Sequence, residues 1–103
     1  MKMICDLCGL NVDEISFHHL IPKTFHTNKR IRKMYDLNFL NNYGINLCKS
    51  CHKKIHSCIS EKDLAYSFNS KELLLKNKEI FNFIFWRRKH PNFNDAISKK
   101  MKF

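Results

Sequence analysis

Hydrophobic positions along this chain follow two different patterns. Up to Ile59 the apolar runs are brief. Ile15 to His18 is apolar and aromatic, follows the turn-like Gly9 to Glu14, and predicts a short strand. Pro22 blocks regular pairing after it. Lys23 to Lys33 is basic and irregular, as a loop or short helix would be. Leu37 to Leu40 predicts a short helix ended around Asn41-Asn42-Tyr43-Gly44, and Ile45 to Leu47 a second strand. A helix is expected from Ser50, whose hydroxyl is the candidate N-cap. His52, Ile55, His56 and Ile59 then recur at three and four residues, which stacks His52 and His56 one turn apart on one face.

Beyond Ile59 the periodicity is helical. Ser60, Ser70 and Asn77 each precede a helical stretch with Glu or Asp in its first turn. Leu73, Ile80 and Ile84, with Leu74, Phe81 and Phe85 beside them, form an apolar stripe expected to pack on the first half. Trp86 and the Phe residues also fit a base-stacking platform, but helical spacing favours a core role.

The cysteines change this picture. Cys5/Cys8 and Cys48/Cys51 are two Cys-x-x-Cys pairs, and each two-residue gap lets a tight knuckle present two sulfurs to one ion, so together they complete a closed tetrahedral zinc site. A chain of 103 residues buries only a modest core, and such domains commonly lean on metals or disulfides. Disulfides would leave one of five cysteines unpaired. Cys5 and Asp6 interrupt any leader-like opening, and no apolar segment is long enough to span a bilayer, so a cytoplasmic protein with reduced thiols and no membrane partner is expected. Cys58, on the same helical face as Cys51, is expected to be a buried apolar thiol.

A formal charge of +10 points to a polyanionic partner, although a genome-wide bias toward Lys, Asn, Ile and Phe would inflate it. Lys23, His26, Lys29, Arg30, Arg32 and Lys33 are the candidate phosphate contacts, with a solvated loop as the alternative. Arg87-Arg88-Lys89-His90 and Lys99 to Lys102 add basic clusters near the C-terminus. His26 and His90 taken singly read as structural. His18, His19, His52 and His56 read differently: the thiolate clamp brings all four toward one cleft. The cysteines already close one site, so a second, open metal site is the simpler account of them.

The segments C-D-L-C, F-H-H-L-I-P-K and N-L-C-K-S-C-H-K-K-I-H, in that order from Cys5 to His56, resemble the HNH endonucleases, the His-Me finger family, in a bacterial branch with a four-cysteine zinc site. The resemblance implies a small α+β fold: a ββα-metal core over residues 1–59, followed by a C-terminal helical extension with a basic tail over 60–103, one compact domain in all. It also implies structural zinc on Cys5, Cys8, Cys48 and Cys51, His19 as general base, and His18, His52 and His56 as ligands of a catalytic divalent metal. Asn46 matches the central Asn that braces the loop carrying the base. The expected activity is metal-dependent hydrolysis of phosphodiester bonds in double-stranded or branched DNA; a non-catalytic zinc-stabilised nucleic-acid-binding module is the alternative. The wider family has Asp where His18 stands. Three imidazoles favour Zn, Ni or Co, whereas a carboxylate would favour Mg or Mn. Sequence does not distinguish a monomer from a homodimer.

Overall fold

A computed structural model describes residues 3–91. These residues form an α+β fold of two two-stranded antiparallel sheets, six α-helices and one 3-10 turn. Strand β1 (Met3–Ile4) pairs with β2 (Asn11–Val12) across the turn that holds Cys5 and Cys8. Gly9 closes that turn with φ of +79°, a conformation a side chain would strain, and its amide donates to the Cys5 carbonyl at 2.9 Å.

Strand β3 (Ile15–His19) pairs with β4 (Gly44–Cys48), with Ile15 opposite Cys48 and His19 opposite Gly44. Both strands run slightly longer than the apolar pattern indicates, because ladder bonding continues through His19 and Gly44. The basic insert between them contains a 3-10 turn (Lys23–Phe25), α1 (Lys29–Met34) and α2 (Leu37–Asn42). Asn28 and Asp36 cap the two helices, accepting from the amides of Ile31 and Phe39.

Helix α3 (Lys49–Cys58) follows β4 directly and packs on β3 and β4. Its N-cap is Cys48, not Ser50: the Cys48 sulfur accepts from the Cys51 amide at 3.5 Å, and Ser50 is buried inside the first turn. The sulfur occupies the place a hydroxyl would otherwise fill. In α4 (Glu61–Tyr66), α5 (Lys71–Lys76) and α6 (Lys78–Lys89) the caps are Ser60, Ser70 and Asn77, as the sequence indicates, with Glu61 and Asp63, Glu72, and Glu79 in the respective first turns.

One buried cluster runs from Cys5, Leu7 and Cys8 through Leu47, Cys51 and Ile55 to Leu64, Leu74, Ile80 and Ile84, so the C-terminal helices and the cysteine-rich half share a core. A second cluster of Ile21, Ile31, Leu40 and Ala65 lies beneath the basic insert. Each such fully buried aliphatic side chain contributes about 1.5–3 kcal/mol of transfer free energy. The apolar stripe of α6 is narrower than its sequence suggests. Ile80 and Ile84 are buried, but Phe81 and Phe85, one position around the helix, are 49% and 60% exposed. Cys58 also departs from expectation: it is half-buried at the end of α3, where its thiol donates to Glu79 Oε2 at 3.1 Å. No described helix is long and apolar enough to cross a membrane. The Lys99 to Lys102 cluster lies outside the described residues.

Candidate metal centre

Cys5 and Cys8 come from the β1–β2 turn, Cys48 from the end of β4 and Cys51 from the first turn of α3. All four are at most 2% exposed, and their sulfurs lie within 4.8 Å of one another. The Cys8 and Cys48 sulfurs are 4.0 Å apart, while the Cys5 and Cys48 sulfurs accept from the amides of Cys8 and Cys51 at 3.5 Å. Hydrogen bonds from Cys48, Cys51 and Cys8 hold the Cys5 thiol well below the ordinary thiol range, and contacts with Cys48, Cys5 and Cys8 together with burial push Cys51 up. Four sulfurs gathered this closely and shielded from water form a closed, soft donor set suited to zinc. Arg88 of α6 braces the first knuckle from outside, its Nε donating to the Cys8 carbonyl at 2.8 Å.

A second group of donors shares helix α3 with Cys51. His18 from β3 meets His52 and His56 from α3, with one ligand nitrogen of each within 4.8 Å of the others. The His18 ring centroid is 5.2 Å from that of His52 and 5.3 Å from that of His56. Exposure is graded: His18 is buried, His52 intermediate and His56 exposed, so this site opens to solvent where the thiol site does not. His18 is 1% exposed, and its Nε2 is a buried polar atom without a hydrogen-bond partner. An orphaned nitrogen of this kind is costly unless an ion fills its lone pair, which fits a ligand position. Ser16 Oγ hydrogen-bonds His52 Nδ1 at 2.6 Å, leaving Nε2 as that ring's remaining donor atom. Burial, followed by the neighbouring His52, His56 and His19, pushes His18 down to about 3, and burial followed by His56 lowers His52. Both rings are therefore neutral at neutral pH, the form that coordinates metal.

His19 faces away from this cluster, as strand alternation requires. Its ring lies 5.0 Å from Phe17 in an edge contact and 5.5 Å from His26. The structure thus brings three of the four histidines together and places the fourth on the opposite face of the same strand end. Burial, then His26 and Lys23, lower His19, while a hydrogen bond to the Asn41 backbone works against them. His26 is 4% exposed, and its Nε2 is 2.7 Å from the Ile21 carbonyl. That places it inside the fold, supporting the loop beside His19, and not among the surface cations. Lys23, Lys29, Arg30, Arg32 and Lys33 are all exposed. Asn46 is exposed as well, and its backbone is clamped to the first knuckle: its amide donates to Asp6 Oδ2 at 2.7 Å, and its carbonyl accepts from the Asp6 amide at 2.7 Å. His90 stacks on Trp86 with centroids 4.5 Å apart.

Ser16, Asp6, Arg88 and the Asn41 backbone have structural parts that spacing did not reveal. Only Asp6, inside C-D-L-C, carried a signal, as a carboxylate set between two ligand cysteines.

No protein-family model and no solved structure matches the chain. Over 88 residues it is 32% identical to the "Uncharacterized protein YisB" of Bacillus subtilis (strain 168), the match covering 85% of this chain and 76% of that protein. The chain belongs to the family of YisB.

Proposed function

We infer that the protein is a metal-dependent endonuclease of the HNH type, with β3, β4 and α3 as its ββα-metal unit. The observation that carries the reading is the buried, unpartnered Nε2 of His18 set against His52 and His56, with His19 next in the chain. Cys5, Cys8, Cys48 and Cys51 would hold a structural zinc, and His18, His52 and His56 a second divalent ion. When bound, the second ion supplies a Lewis acid beside the phosphate.

His19 would take the proton from the attacking water, which requires the scissile phosphate to straddle the end of β3 so that it meets both the ion and this ring. Burial keeps the ring from gaining a proton, so a neutral imidazole nitrogen would be the acceptor. His26 and the peptide at Ile21 limit movement of the loop beside that ring. Lys23 is exposed close enough to His19 to act on it electrostatically, and it would add positive charge near the phosphate. The exposed cations of α1 would hold the flanking backbone, contacts that favour any polynucleotide over a particular sequence.

The test is nicking of supercoiled DNA by purified protein across Mg, Mn, Ni, Co and Zn. His19→Ala should lose at least about a hundredfold in rate, the usual contribution of a positioned base, while keeping its zinc. Equal nicking by that variant would remove His19 from the reaction. Binding without cleavage under every ion would leave a zinc-stabilised nucleic-acid-binding module.

A further inference from the structure

The apolar stripe of α6 reads as a core face in sequence, and two of its rings are exposed. Phe81 and Phe85 lie one turn apart with centroids 5.8 Å apart, and both are about half exposed or more. They border a groove of about 430 Å³ between α5 and α6, floored by Leu7 and Ile84. This volume falls within the ordinary range for ligand sites. Among the described residues its polar lining is cationic: Lys71, Arg88 and Lys89 stand on the rim, and no carboxylate does. Lys89 Nζ sits 5.9 Å from the centroid of the Phe85 ring. The surface combines accessible aromatic faces with fixed positive charge.

We propose that this groove binds single-stranded nucleic acid, with an unpaired base lying against Phe85 or Phe81 and the adjoining phosphates meeting Lys71, Arg88 and Lys89. Two features select this occupant. Aromatic faces accept any base by stacking, and a cationic rim accepts the backbone, which is the combination single-strand binders use. A paired duplex would hide its base faces from the rings and gain only the charge. The inference shares the polynucleotide ligand with the nuclease reading and is independent of whether the protein cleaves.

The experiment titrates the full chain with a labelled oligothymidylate of roughly 10 nucleotides and with a duplex of equal length. Fluorescence anisotropy is read without added catalytic ion, and gels check that the strand stays intact. Phe81→Ala/Phe85→Ala should weaken single-strand binding by about tenfold or more, leave duplex binding within about twofold, and preserve zinc content and circular dichroism. Lys89→Gln should reduce the salt dependence of single-strand binding by a slope of about 0.7. Unchanged affinity for the oligomer in the double Phe variant would overturn the proposal, as would an equal loss for duplex. Binding of an acidic helical peptide in place of the oligomer would also overturn it and make the groove a protein-docking site. A wild-type protein that binds the oligomer through the two rings but nicks no plasmid would refute the nuclease reading and leave this one standing. Plasmid nicking with no oligomer affinity would do the reverse.

Discussion

Gly44→Ala tests how tightly the strand pair fixes the histidines. Gly44 lies opposite His19 in the β3–β4 ladder, and a Cβ placed on it would sit 2.3 Å from the His18 carbonyl oxygen and 2.5 Å from the Phe17 ring. The ring is 42% exposed and can swing outward; the carbonyl belongs to the ladder and cannot move alone. The substitution must therefore displace the peptide joining His18 to His19. Overpacking of this kind costs about 1–3 kcal/mol, and each kcal/mol lowers the melting temperature of a domain this size by about 4–8 °C. Thermal unfolding of the zinc-loaded protein, followed by far-ultraviolet circular dichroism, should show a fall of at least about 4 °C on that basis. The same displacement should weaken uptake of a second metal equivalent, read by calorimetry. Phe17→Ala in the Gly44→Ala background separates the two obstacles. If the carbonyl is decisive, removing the ring restores little; full recovery in the double variant, or an unshifted melting curve in Gly44→Ala, would refute the reasoning.

Stripping the thiol site, by a strong chelator or by Cys51→Ser, should unfold the domain. Structural zinc is worth about 10–16 kcal/mol in small modules, against a total stability of about 5–15 kcal/mol, and a melting curve unchanged after verified zinc removal would contradict this. His56→Ala changes an exposed member of the proposed second site and should retain one zinc per chain while losing the second ion, as counted by elemental analysis; two retained ions would take His56 out of the site. Leu64→Ala removes a fully buried side chain from the core that joins the two halves, and chemical denaturation should show a loss of about 2–5 kcal/mol.

Periodicity and caps located nearly every helix and the β3–β4 pair, because these depend on local chemistry: Ser60, Ser70 and Asn77 each satisfy an amide three residues on. The four cysteines converge as their spacing indicates, since two short knuckles have few other ways to share a core. Less was legible where the answer depends on which face a neighbour covers. Phe81 and Phe85 carry the same pattern as Ile80 and Ile84, and only the placement of α5 and the first knuckle decides that one pair is buried and the other is not. His26 admits two readings, a phosphate contact in a basic run or a structural imidazole, and the Ile21 carbonyl and the second core cluster, both set by tertiary packing, decide for the second. Cys48 as a cap was hidden because its obvious use was as a ligand. The expectation that all four imidazoles share one cleft failed at His19, because strand alternation turns it to the face opposite His18.

The position of Cys48 ties the start of α3 to the thiol cluster. One sulfur ends β4, begins α3 and belongs to the thiol cluster, so whatever gathers the four sulfurs also decides where the helix bearing His52 and His56 is nucleated. If zinc holds that cluster, its loss would take away the cap of α3 and with it the footing of the imidazole triad.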